Sequence, residues 1–171
     1  DGKTAAANGT SQWITGASAR QRVHELRAES DAVLVGAGTI RADNPELTVR
    51  DAEGTSPRRI VLGSAPTDAK VHPCTEYSGD LTALLHKLGS EDVLQLLVEG
   101  GQHVAGAFHR AGLVNRYVFH FAPAIAGGDN APGIFSGDAV GDIADLWRGT
   151  ISSVQQLDTD IEVVVEVRKE K

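Results

Sequence analysis

The 171-residue chain is expected to fold as an α/β protein. It should have a mostly parallel central sheet flanked by helices and a C-terminal antiparallel hairpin. Three observations predict this. Short apolar runs at Asp31–Gly36, Arg59–Leu62 and Val93–Glu99 alternate with helical patterns, and such crossovers make parallel strands. The run Leu96-Leu97-Val98-Glu99 stops at Gly100-Gly101 and passes directly into a helical pattern. Near the end, Ile151–Leu157 and Ile161–Val167 are β-rich runs separated by Asp158-Thr159-Asp160, a hairpin pattern.

Each element has a local reason. Ala17–Ser30 reads as a helix, with Val23, Leu26 and Ala28 among its apolar positions and Ser18 placed to cap its start. Asp31–Gly36 reads as a buried strand, and Arg59–Leu62 as a second that ends in Gly63-Ser64. Asp80–Leu88 is a short amphipathic helix, followed by the strand Val93–Glu99 and a helix from about His103 to Ala111. Tyr117–Phe121, introduced by Arg116, alternates the aromatic and β-branched residues that suit a pleated surface.

Composition narrows the function. Apolar residues make up 41% of the chain and charged residues 23%, an ordinary globular balance. No apolar run reaches bilayer length and no signal-peptide pattern opens the chain, so no membrane partner is expected. The formal charge of −7 argues against nucleic acid as a partner. Cys74 is the single cysteine, which excludes an internal disulfide and fits a reducing, cytoplasmic setting. The six histidines show no zinc-ligand spacing, so no metal site is expected.

Several motifs carry chemistry. A strand that ends at Gly100-Gly101 before a helix offers backbone N–H groups and a helix dipole to a phosphate or pyrophosphate. Gly36-Ala37-Gly38-Thr39 is a second glycine exit from a strand, but it lacks the third glycine of a dinucleotide fingerprint. Thr39 and Asp43 suit ribose or amide contacts, and Arg50, after Leu47-Thr48-Val49, suits a phosphate clamp. Glu99 stands where ligands bind in open α/β sheets, and a binding role is favoured over an acid. Trp13 is expected in the core or at its edge, with stacking on a flat ligand ring as the sharper alternative. The loop Gly127-Gly128-Asp129-Asn130 is read as a plain turn.

Together these motifs resemble the reductase domain of the bifunctional riboflavin-biosynthesis deaminase/reductase, which has a dihydrofolate-reductase-like fold. The resemblance rests on Asp1-Gly2-Lys3-Thr4-Ala5, Ser11-Gln12-Trp13-Ile14-Thr15-Gly16 and His24-Glu25-Leu26-Arg27-Ala28. It continues through Gly38-Thr39, Ala42-Asp43-Asn44-Pro45, Leu47-Thr48-Val49-Arg50 and Val98-Glu99-Gly100-Gly101, nearly the whole chain. It implies NADPH-dependent reduction of 5-amino-6-(5-phosphoribosylamino)uracil, with hydride passing to the ribose C1′ of the opened sugar. By the same resemblance, Ser11, Arg27, Leu47, Arg50 and Glu99 contact the sugar-phosphate substrate. Trp13, Thr39, Asp43 and Ser64 contact the cofactor, as do Gly101, Gln102, His103, Val104, Ala105, Gly106 and Ala107. No residue is assigned as a general acid; water or a substrate group supplies the proton. A homodimer fits the family.

The resemblance also implies departures. The family's domain begins with a strand, before Asp1, that carries an active-site lysine, and its absence is expected to leave a sheet position unpaired. Residues 1–171 are read as a single reductase domain from a longer protein, without the upstream deaminase domain and its zinc signature. Three alternatives stay open: a reductase acting on the diaminopyrimidine before deamination, a dihydrofolate reductase, and a non-catalytic nucleotide-binding module.

Overall fold

Five consecutive small or branched apolar residues, Ala32–Gly36, form strand β1, and every one of them is buried. A strand covered on both faces belongs in the middle of a parallel sheet. It lies there: β1 pairs in parallel with β2 (Arg58–Leu62) on one side and β4 (Leu96–Val98) on the other. The short β3 (Thr75–Tyr77) extends the sheet beyond β2, giving the order β3-β2-β1-β4. A computed structural model describes residues 1–167.

Alternate residues of β1 and β2 feed two cores, one on each face of the sheet. On one face Ala32, Leu34 and Ile60 pack with Leu84 and Leu88 of helix α3 (Leu81–Ser90) and Phe108 of helix α4 (Gln102–Arg110). On the other, Val33, Val35 and Val61 pack with Ile40 of helix α2 (Ala37–Asp43) and with Leu47 and Val71 from connecting segments. The expected flanking helices are present. Helix α2 and strand β3 were not anticipated, since the glycines of the first and the brevity of the second hide their type.

Strand β4 is shorter than the run Val93–Glu99 suggested, for a visible reason. Val93 N–H closes α3 on Leu88, and the N–H groups of Leu94 and Gln95 donate to the Asp31 carboxylate at 2.8 Å each. Those amides are therefore satisfied without a strand partner. On its outer side β4 carries no partner among the described residues.

The C-terminal hairpin, β6 (Gly149–Leu157) and β7 (Asp160–Val167), turns through Asp158 in the left-handed conformation, at φ +63°. It is not an edge of the parallel sheet. With β5 (Arg116–Phe121) it makes a separate antiparallel sheet of order β5-β7-β6.

Helix α1 (Ala17–Ala28) joins the two halves. Its N-cap is Gly16, which corrects the expectation for Ser18. The Gly16 N–H donates to the Asp160 carboxylate at 2.6 Å, so the start of β7 supplies the anion at the helix N-terminus. Asp160 is only 1% exposed, a role that the sequence, showing it as a turn residue, did not reveal. Asp160→Asn should lower the free energy of unfolding by about 1–2 kcal/mol with an unchanged denaturant slope. Urea titration checks this, and an unchanged midpoint would remove Asp160 as the cap.

Candidate functional site

The register of the parallel sheet determines where the motifs meet. Leu34 lies opposite Val98, and Gly36 opposite Leu62, so β1 and β2 end level and β4 ends two residues before them. Their carboxyl ends deliver the exit to α2, Gly63-Ser64, and Glu99-Gly100-Gly101 to one edge. This is the edge at which open α/β sheets bind ligands.

Helix α4 starts here with Gly101 as N-cap, no side-chain cap and no acidic residue in its first turn. Its leading N–H groups are therefore open to an external anion. Two glycines allow the helix to approach this closely. A Cβ on Gly100 would stand 2.4 Å from Val104 Cβ, and one on Gly36 would stand 2.9 Å from Val104 Cγ2. Thr39 lies across from the turn, its Oγ1 3.9 Å from where a Gly101 Cβ would be.

Of the expected cofactor residues, Gly101, Gln102 and His103 form the helix start, while Val104, Ala105, Gly106 and Ala107 lie within the helix rather than in a turn. Gly106 is buried beneath the loop that follows β5 and would collide with the Ser136 carbonyl if it bore a side chain. That loop folds back on α4 through Ser136, whose N–H donates to Gln102 O and whose Oγ bonds His103 Nδ1 at 2.7 Å. No motif or spacing marks Ser136 in the sequence. Ser64 is exposed just beyond β2.

Ser11 Oγ donates to Asp43 Oδ1 at 3.4 Å, bringing an expected substrate residue against an expected cofactor residue. Trp13 is 70% exposed, so its placement in the core is overturned. Its ring carries the Arg20 guanidinium 4.6 Å from the centroid, a cation–π contact that orients the indole in solvent.

Arg27 and Glu99 were expected as two separate contacts to substrate; the structure joins them. Arg27 Nε and Nη2 donate to the two Glu99 oxygens at 2.7 Å each, a bidentate fork. Its Nη1 also donates to Thr48 O at 3.2 Å. The Arg27 side chain is 11% exposed and that of Glu99 20%. Most of the guanidinium's hydrogen-bonding capacity is thus spent inside the protein, and Arg27 acts on the loop after α2 as well as on β4.

That loop carries Leu47 and Arg50. Leu47 adopts φ +55°, costly for a branched residue, and the residue as a whole is 2% exposed and anchored in the core. Leu47 therefore sets the course of the loop from the core side and offers little surface to a ligand. Arg50 is exposed, and its guanidinium donates to Glu46 at 2.6 Å, which holds the Glu46 carboxyl below its ordinary range. A surface pair of this kind is weak and readily exchanged, so Arg50 can turn to another anion. Beneath the loop His24 of α1 is buried, a residue present in the motifs but given no role from sequence. Its i, i+3 spacing from Arg27 was the available signal.

A second polar groove, of about 670 Å³, lies between α1 and the antiparallel sheet. Its floor is Glu162, whose carboxylate is already met by His120 at 2.8 Å, Gln155 at 2.8 Å and Arg22 at 3.4 Å. Among the described residues no group of three or more His, Cys, Asp or Glu side chains is arranged to hold a metal ion. No described helix is long and apolar enough to cross a membrane.

The fold thus defines an α/β domain of the dihydrofolate-reductase-like class, with Thr39, Glu99 and the start of α4 brought to the carboxyl edge of a parallel sheet. The model of the RibD C-terminal domain family matches residues 1–163. The riboflavin biosynthesis protein RibD of Mycobacterium tuberculosis is 36% identical over 172 residues, covering 94% of this chain and 50% of that protein. The Corynebacterium ammoniagenes protein of the same name is 40% identical over 141 residues, covering 74% and 41%. Among solved structures, Acinetobacter baumannii RibD superposes with a TM-score of 0.88 at 30% identity, covering 99% of this chain and 55% of that one. A Thermotoga maritima diaminohydroxyphosphoribosylaminopyrimidine deaminase/5-amino-6-(5-phosphoribosylamino)uracil reductase gives 0.82 at 29% identity, covering 98% and 54%. The chain belongs to the RibD C-terminal domain family and spans about half the length of the curated relatives it matches.

The Arg27–Glu99 fork yields a test. Arg27→Met should cost about 2–4 kcal/mol of stability, because a mostly buried carboxylate is left without its partner. Adding Glu99→Leu should recover more than half of that loss in urea denaturation. A double variant as unstable as the sum of the singles would mean that the two residues are not coupled.

Proposed function

We propose that this domain is an NADPH-dependent oxidoreductase of riboflavin biosynthesis. Its substrate on this reading is 5-amino-6-(5-phosphoribosylamino)uracil, reduced at the ribose C1′ to the ribitylamino product. Membership of the RibD C-terminal domain family supports an oxidoreductase of this pathway, and the Thermotoga maritima neighbour bears the name of that reaction. The observation that carries the reading is the meeting of two recognition chemistries at one sheet edge. An uncapped helix start faces Thr39, and an exchangeable arginine stands on a loop tied to Glu99.

The residues suit a dinucleotide. The α4 N–H groups behind Gly101 would take the pyrophosphate, and Thr39 and Asp43 the ribose and amide groups. The exposed face of Trp13 would take a flat ring, and the Ser64 hydroxyl the adenosine side. When bound, the cofactor supplies the hydride. The protein's own work is to bind and orient: Arg50 would hold the sugar phosphate on a loop that Leu47 anchors, Ser11 the sugar, and Glu99 the polar groups of the pyrimidine or the ribityl chain. Orientation of this kind needs no protein nucleophile.

The test is loss of the reduced nicotinamide absorbance when protein, NADPH and the phosphoribosylaminouracil are mixed. Turnover is expected, and Arg50→Ala should raise KM for that substrate roughly ten- to a hundredfold, with a smaller effect on kcat. Tight NADPH binding without oxidation would overturn the reductase reading in favour of a non-catalytic nucleotide-binding module.

A further inference from the structure

The buried ring of His24 occupies a position that the reading above does not use. It is 7% exposed and projects from α1 under the loop that carries Leu47 and Arg50. Two main-chain groups of that loop converge on a single ring nitrogen. Nδ1 lies 3.0 Å from the Thr48 carbonyl oxygen, and the Arg50 N–H points at the same atom from 3.3 Å. A nitrogen bearing a proton can donate to Thr48 but cannot accept from Arg50; a bare nitrogen does the reverse. The loop therefore offers the ring two mutually exclusive partners.

The groups around the ring determine which partner each charge state takes. On α1 the Arg27 guanidinium stands beside it and also donates to Thr48 O, so that carbonyl keeps a partner whichever way His24 is protonated. On the loop side, Asp51 lies 3.5 Å from Nε2, with the Arg50 charge nearby. With its proton on Nε2, facing Asp51, the neutral ring holds the Arg50 amide through Nδ1. The imidazolium carries protons on both nitrogens and must release that amide. We infer that His24 is a positioning residue: its neutral ring fixes the main chain of Arg50, and protonation frees it, weakening the grip of Arg50 on an anionic sugar-phosphate substrate.

Burial is the largest influence on the ring, and together with Arg27 and Arg50 it outweighs Asp51 and the Thr48 carbonyl, which favour the charged ring, and pushes its pKa below the ordinary histidine value of 6.5. The sign follows. The unfolded chain takes up a proton on this histidine as pH falls through about 6.5, before the folded chain does. Folding stability is therefore undiminished above that pH and declines as pH falls below it, whereas loop order in the folded chain is lost as pH falls through the lower, folded-state pKa.

The inference rests on the proposed sugar-phosphate reductase reading, so its test has an arm that needs no turnover. In the full chain, without ligand, NMR should show the Arg50 amide and the His24 ring titrating with one midpoint below 6.5. In His24→Asn, which keeps a hydrogen-bonding group near Nδ1 but cannot titrate, the Arg50 amide should be flat over that range. An Arg50 amide that ignores the His24 titration would overturn the inference, whether or not the domain turns over. In the kinetic arm, wild-type KM for the phosphoribosylaminouracil should rise roughly three- to tenfold more than that of His24→Asn as pH is lowered through the His24 midpoint. Comparing the two proteins removes the phosphate's own titration, and kcat should change little. Equal KM profiles would overturn the link to anion binding. No turnover by wild type would count against the function proposed above, leaving the NMR arm to decide the role of His24.

Discussion

The bidentate contact between Arg27 and Glu99 is the constraint on which the site depends. It joins helix α1 to the end of strand β4 in the parallel sheet, and through Thr48 O the same guanidinium holds the loop after α2. Three segments distant in sequence are thereby set in one frame. A planar fork suits this task because it fixes orientation as well as distance, which a lysine at the same place would not do. The pair is mostly withdrawn from water, so its contribution is as much to specify one arrangement as to stabilise the fold.

On that frame the domain divides its work between rigid and exchangeable parts. The rigid part is the glycine-paved approach of α4 to β1, where Val104 fills the space that side chains at Gly36 and Gly100 would need. It sets the helix start at the sheet edge without any side chain capping the open N–H groups. The exchangeable part is the loop from Glu46 to Asp51. Leu47 anchors it in the core at an unfavourable φ, His24 and Arg27 hold it from below, and Arg50 remains on the surface in a weak pair with Glu46. The strained leucine is tolerated because its side chain belongs to the core, so burial offsets the backbone cost.

Much of this was legible in the sequence, though unevenly. The apolar runs of β1 and β2, the helix that becomes α3 with Asp80 capping it, and the C-terminal hairpin all carry strong local signals, and they form where the pattern put them. The glycine exit to α4 was legible for the same reason, since Gly-Gly between a strand and a helix has few other uses. Interactions between distant segments were not. Asp160 looks like a turn residue until the fold brings it to the start of α1, and Ser136 has no pattern at all. Arg27 and Glu99 were each recognised, but their partnership was hidden, because charge pairing across 72 positions leaves no periodicity to read.

Trp13 shows the same limit from the other direction. A large aromatic ring is expected inside, because burial of its area is worth so much, yet here it stands in solvent beneath Arg20. Within the proposed function that exposure has a reason. A ring that must accept a flat ligand cannot also be packed by the core, so the stability forgone at Trp13 is recovered only when a ligand covers it. The cation–π contact keeps one face of the indole oriented in the meantime, which lowers the ordering cost at binding. An exposed tryptophan, an open helix start and an exchangeable arginine are each unfavourable for a chain that only has to fold. Within the proposed function each has a use, and the fork between Arg27 and Glu99 braces the loop that carries the arginine.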